Sequence, residues 1–275
     1  MQMLAAAPGR GSRLLVVSLV LLVLAACSHK PIDYSEASVE VIYNDALEKL
    51  NDHDYTNAGK IFDEVERQHP YSIWARRAIL MSAYSYYMAN KYGESVLAAE
   101  RFVGLHPGNK DAPYAYYLKA ICYYEQISDI GRDQKMTEDA MAALDEVVRR
   151  FPNSVYARDA RLKLDMTRDH LAGKEVEIGR YYLNQRQYLA AINRFGNVIK
   201  KYQTTTHAAE ALERLTEAYL AMGVPHEAQT AAAVLGYNYP GSEWYKDSYR
   251  LLTAENLQPK EDKGSWISRA WHSVF

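Results

Sequence analysis

Two side chains in this sequence could act as thiol nucleophiles, Cys27 and Cys122, and their neighbours assign them different roles. Cys27 follows Leu24-Ala25-Ala26, an apolar run from Leu14 to Val23, and Arg10 and Arg13. A charged leader, a short apolar core and small residues before the cysteine make an export signal. Cys122 stands in Ala120-Ile121-Cys122-Tyr123, where a buried helix residue is expected rather than a reactive thiol. No G-x-x-x-x-G-K-[ST], G-x-G-x-x-G or H-E-x-x-H pattern occurs. The eight histidines are scattered, and His69 and His106 each precede a proline, which marks turns rather than metal ligands. Acidic residues sit mostly beside Lys or Arg, as in Asp145-Glu146-Val147-Val148-Arg149-Arg150, which reads as a solvated helix face. No Ser, His and Asp constellation stands out. The expectation is therefore no catalytic residue, no metal and no cofactor.

Leu24-Ala25-Ala26-Cys27 resembles the lipobox of bacterial lipoproteins. On that resemblance Cys27 is the first mature residue, acylated on its sulfur and amino group, and Cys122 has no disulfide partner. The alternative, a transmembrane anchor, needs about 20 apolar residues, more than the run supplies. Removing 1–26 takes away Arg10 and Arg13 and no acid, leaving 30 basic against 34 acidic side chains. That balance disfavours nucleic acid as a main partner. With 48% apolar residues, 14 Gly and 9 Pro, the chain can build a sizeable core.

The elements that position any site come from a repeat. A small residue recurs at Ala46, Ala83, Ala120, Gly179 and Thr216, followed three positions on by Lys49, Tyr86, Tyr123, Tyr182 and Tyr219. A second small column reads Ala58, Ser95, Ala140, Ala191 and Ala228; four residues later come Phe62, Ala99, Leu144, Phe195 and Ala232. Four of the five units close on proline, at Pro70, Pro107, Pro152 and Pro240, and the fifth has Gln203. Helices cross closely only where side chains are small, and proline ends the second helix. The pattern resembles the tetratricopeptide repeat. It predicts an all-α, right-handed superhelix of about five helical hairpins with a C-terminal capping helix over Ser242 to Asn256.

Two departures shape the expected layout. An eight-residue insertion around Ser128 to Gln134 reads as a polar surface loop. Between Pro152 and Gly179 an extra 14 residues, about four helical turns, predict an added or elongated helix over 154–171. The expected segments are a signal peptide at 1–26, a lipidated linker at 27–38 and repeats one to three at 39–153. They continue with a linking helix, repeats four and five and the cap at 154–256, then a linker and amphipathic tail at 257–275. In the tail, Trp266, Ile267, Ala270, Trp271, Val274 and Phe275 form a stripe suited to a membrane interface, a partner groove or a frayed end.

Tyrosine is the other outlier, with 23 in the chain. Tyr86, Tyr123, Tyr182 and Tyr219 belong to the repeat core, whereas Tyr84, Tyr87, Tyr117 and Tyr181 are free to line a concave groove. Tyrosine buries large apolar area and keeps a polar tip, which suits peptide binding.

The order of features resembles the BamD family of outer-membrane barrel-assembly lipoproteins. The resemblance is carried by the lipobox, His69-Pro70-Tyr71-Ser72 with Trp74, Ala99 to Pro107 (Ala-Glu-Arg-Phe-Val-Gly-Leu-His-Pro) and Ala115-Tyr116-Tyr117-Leu118. Arg149-Arg150-Phe151-Pro152-Asn153-Ser154, Arg180-Tyr181-Tyr182 and Ala191-Ile192-Asn193-Arg194-Phe195 complete it. It covers about residues 27–256 and implies a non-enzymatic protein held by acyl chains on the periplasmic face of the outer membrane. It further implies a groove for unfolded outer-membrane proteins including Tyr71, Trp74, Tyr84, Tyr87, Arg101, Tyr114 and Tyr117. Arg180, Tyr181 and Arg194 would dock the barrel subunit, alongside accessory lipoproteins, with an arginine forking onto a partner carboxylate or carbonyls. A repeat lipoprotein that organises peptidoglycan enzymes, or a periplasmic hydrolase, stands as the alternative.

Overall fold

The structure, a computed structural model, describes residues 34–274. Cys27 and its export signal lie outside the described residues. Those described fold into helices and turns, without a strand. In chain order the helices are α1 (Val39–Asn51), α2 (Tyr55–Gln68), α3 (Ile73–Met88), α4 (Tyr92–Leu105), α5 (Ala112–Tyr124) and α6 (Lys135–Arg150). They continue as α7 (Val155–Asn184), α8 (Tyr188–Lys201), α9 (Ala208–Ala221), α10 (Pro225–Asn238), α11 (Glu243–Ala254) and α12 (Trp266–Trp271).

Each of the first ten helices packs on the next, giving five hairpins, α1/α2 to α9/α10, and then α11 as the cap. The first helices of successive hairpins also touch, from α1–α3 through to α9–α11, whereas the backbones of second helices stay apart. First helices therefore form the inner wall of the superhelix and second helices the outer one. The small columns explain the close crossings: Ala46, Ala83, Ala120, Thr216, Ala58, Ser95, Ala140, Ala191 and Ala228 are all fully buried.

The turns follow two local rules. Within hairpins one, two, four and five, and after α11, the chain reverses through a residue in the left-handed region: His53, Asn90, Arg186, Gly223 and Asn256. Between hairpins, the second helix ends on His69, His106, Phe151, Tyr202 or Tyr239, each near φ −130° to −135°. A following proline disfavours the helical conformation for the residue before it and so enforces this exit at four of the five. Two residues past Pro70, Pro152 and Pro240, Ser72, Ser154 and Ser242 cap the next helix by accepting from Ala75, Ala157 and Tyr245 amides.

The elongated helix exists as α7, one 30-residue helix that leaves hairpin three and becomes the first helix of hairpin four. The insertion around Ser128 to Gln134 is not only a polar loop, because Ile130 rests against α7 where Gly173 leaves room; a Cβ there would lie 2.7 Å from Ile130 Cδ1. The tail differs from expectation more sharply. Most of its stripe is covered: α12 packs against α8 and α10, bridging two second helices on the outer side, with Ile267 and Trp271 buried, while Val274 is exposed and Phe275 lies outside the described residues. Gly196 makes the room for Trp266, whose indole Nε1 donates to Tyr219 Oη at 2.9 Å beneath Lys200.

Candidate docking surfaces

Four of the expected groove residues come together on the inner wall. Tyr84 and Tyr87 on α3, and Tyr114 and Tyr117 on α5, are each three residues apart and share a helix face. Tyr156 at the start of α7 extends the row, stacked on Tyr117 (centroids 5.2 Å, 27°) and tilted against Tyr114 at 5.4 Å. Tyr84, Tyr87 and Tyr114 pack over Ala83, Ala98, Ala99 and Leu118. Tyr117 donates to Asp159 at 2.6 Å, and Lys163 holds the same carboxylate at 2.9 Å. Burial pushes the Tyr114 and Tyr117 hydroxyls well above their usual range, aided at Tyr117 by Asp159, so both remain neutral donors. The hydroxyls of Tyr84, Tyr87, Tyr114 and Tyr156 make no hydrogen bond among the described residues. The wall thus offers apolar faces with unused polar tips. Tyr156 escaped the sequence reading, yet a signal exists: an aromatic stands two residues after each capping serine that follows Pro-x, at Trp74, Tyr156 and Trp244.

The other three expected groove residues lie elsewhere. Trp74 tucks into hairpin one, 4.8 Å from Tyr43, with Arg77 over its ring. Arg101 joins second helices on the outer side, 2.9 Å from Asp63 and 2.8 Å from Glu66. Asp63 also accepts from Ser82 and Tyr86, so this arginine is a tie between hairpins one and two. Tyr71 projects from the α2–α3 loop, fully exposed.

In the C-terminal block the expected fork is already filled. Arg180 donates through Nε to Glu210 Oε1 at 2.6 Å and through a second nitrogen to Oε2, and Glu210 is buried. Its geometry is what was expected toward a partner; the carboxylate belongs to this chain. Arg214 on α9 continues the network, 3.3 Å from Glu213 and 2.8 Å from Glu217, with its guanidinium over Trp244. Arg194, on α8, lies 3.3 Å from Glu175 and keeps part of its side chain exposed. Tyr181 and Leu189 flank the α7–α8 turn and are 61% and 65% exposed. The three expected docking residues therefore do not form one cluster: Arg180 faces α9, Tyr181 faces solvent and Arg194 pairs across hairpin four.

The described residues hold one cysteine. Cys122 is buried, its thiol pushed up to about 11 by burial while Sγ donates to Ser95 Oγ at 3.2 Å, so it is no nucleophile. Among the described residues no group of three or more His, Cys, Asp or Glu is placed to hold a metal, and no helix is long and apolar enough to cross a membrane.

Stacked hairpins with an aromatic inner wall and a charged C-terminal half define a helical-repeat protein whose assets are surfaces. Comparison with known proteins narrows the class. A family profile described as YfiO, outer membrane lipoprotein, matches residues 35–235. A Caulobacter vibrioides protein named outer membrane protein assembly factor BamD is 52% identical, over 91% of this chain and 84% of its own. The Rickettsia prowazekii protein of the same name is 45% identical, over 88% and 95%. Among solved structures, the tetratricopeptide domain of P58(IPK) covers 98% of this chain and 69% of its own at 13% identity, with TM-score 0.41. The chain belongs to the BamD/YfiO family of outer-membrane lipoproteins.

Proposed function

We propose that the chain is a non-enzymatic scaffold of outer-membrane barrel assembly, anchored on the periplasmic face through acylated Cys27. Its inner wall at Tyr84, Tyr87, Tyr114, Tyr117 and Tyr156 receives extended segments of unfolded outer-membrane proteins. The observation that carries this reading is the contiguity of that wall together with the unused hydroxyls of Tyr84, Tyr87, Tyr114 and Tyr156, which suit the exposed backbone groups of an extended peptide. The C-terminal block docks the barrel subunit, through Tyr181, Leu189 and the exposed part of Arg194 rather than through Arg180, whose fork is occupied. Accessory lipoproteins complete the complex. The mechanism is positional: a tethered adaptor raises the effective concentration of captured substrate beside the folding machine.

Two measurements test the reading. Tyr84→Ala with Tyr87→Ala should weaken binding of an outer-membrane protein's C-terminal peptide by about tenfold or more while helix content is kept; unchanged affinity rejects the groove. Arg194→Glu places an anion beside Glu175, so it is paired with the swap Glu175→Arg, Arg194→Glu, which restores the internal ion pair. If docking uses Arg194, neither variant co-purifies the barrel subunit well; recovery by the swap means the residue only shapes hairpin four. Peptidoglycan enzymes in place of a barrel protein would favour the alternative scaffold.

A further inference from the structure

The residue that left the groove, Tyr71, has neighbours of a definite kind. Tyr71, Ile73 and Leu105 are 101%, 69% and 59% exposed and line one cleft with Arg76, where the α2–α3 loop meets the end of α4. Arg76 also lines the adjoining cleft, with Arg77 and Lys110. None of these three cations has an ion-pair partner among the described residues. Two acids share the two clefts: Glu66, already held by Arg101, and Asp111. The opposite edge of the same two hairpins is different. Its turns carry Glu48, Asp52, Asp54 and Glu94 against Lys49 and Lys91, and none of its large apolar residues is exposed.

The N-terminal segment, with exposed Glu36 and Glu40, passes this edge at Ala37, while Tyr34 lies along α1 and donates to Asp45. His69, two residues before Tyr71, meets the Ala37 carbonyl at 3.2 Å. Six residues lie between Cys27 and Tyr34, and the seven steps of chain reach at most about 25 Å. We propose that this edge of hairpins one and two rests on the anionic phospholipid surface to which the chain is tethered. Tyr71 then lies at headgroup level, Ile73 and Leu105 beneath it, and Arg76, Arg77 and Lys110 meet lipid phosphates. Such a contact orients the inner wall relative to the membrane, which a flexible tether alone does not. The inference rests on acylation of Cys27, and its test separates the two.

The acylated full-length protein is reconstituted into phosphatidylethanolamine–phosphatidylglycerol vesicles, with a polarity-sensitive fluorophore on Tyr71→Cys or, at the α7–α8 turn, on Gln185→Cys. Cys122 is buried and does not compete for label. Flotation reads the anchor; brightening of the probe reads the edge. The expected result is a floating protein whose probe brightens severalfold at position 71 and not at 185. Brightening at 71 falls by about fivefold for each cation removed in Arg76→Glu and Lys110→Glu, with flotation unchanged. A floating protein with a dark probe at 71 overturns the edge contact and keeps the anchor. A probe that responds to an unfolded outer-membrane peptide instead of vesicles overturns it in favour of substrate. Failure to float overturns the anchor and the proposal with it.

Discussion

Gly179 lies so close under the ring of Phe195 that a Cβ on it would stand 2.5 Å from Phe195 Cε1. The same relation recurs between hairpin elements, with Gly59 under Tyr86 and Gly236 under Tyr245, at 2.8 and 2.4 Å. In each case a ring packs directly on helix backbone. The tight crossings of this fold are therefore set by paired residues, one absent side chain and one large flat one.

Gly179→Ala should destabilise the chain by about 1–3 kcal/mol, because Phe195 is fully buried and cannot move aside. The better helix propensity of alanine, worth up to about 1 kcal/mol, offsets part of this. Gly104→Ala, with nothing within 4 Å, has only the gain. Urea unfolding of the two variants should move the midpoint in opposite directions; a stabilised Gly179→Ala would show that the crossing can relax.

Trp271→Ala should cost about 3–5 kcal/mol, the usual range for a fully buried tryptophan. The loss should be concentrated where α12 bridges. Hydrogen exchange in α8 and α10 is expected to quicken while α1 to α4 stay protected. Uniform quickening along the chain would mean that the tail is part of one global unit and not a local clasp.

The periodic part of this fold was legible because its cause is local: a crossing that needs a small residue repeats that residue, and Ala46, Ala83, Ala120, Gly179 and Thr216 are buried as their spacing required. Pairings between distant positions were not. The amphipathic stripe at Trp266–Trp271 left open a membrane interface, a partner groove or a frayed end, and gave no sign that Gly196, 70 positions back, had cleared space for it. Arg180 was legible as a fork, yet its carboxylate, Glu210, is buried on the next hairpin. Tyr71, Trp74 and Arg101 share residue types with the groove; loop position, hairpin-one packing and Asp63 decide their places.

Arg186→Gly should stabilise modestly, by up to about 1 kcal/mol. Arg186 holds φ 58° in the α7–α8 turn with its side chain exposed, a conformation that strains an L-residue and suits glycine. The gain is limited by the extra freedom of glycine in the unfolded chain. A lower thermal midpoint would point to a contact of the arginine that outweighs the strain.

Glu213 should make stability fall as pH rises across neutrality. It is 3% exposed on α9, and burial raises its carboxyl from the ordinary 4.5 to about 7; Arg214 opposes this, while Glu217, Asp247 and Glu210 add to it. The folded chain therefore binds more protons than the unfolded one between pH 4.5 and 7. The stabilising contribution is complete below the unfolded value and is lost as pH rises through the folded one. From the size of the shift the loss is on the order of 1–3 kcal/mol. Glu213→Gln removes this titration and leaves every other group in place, so the difference between the two proteins isolates it. Urea midpoints at pH 5, 6, 7 and 8 should decline in the native protein relative to the variant, most steeply between 5 and 7, and level off by 8. Parallel curves would mean that Glu213 is already ionised at pH 5, with Arg214 compensating its charge in full.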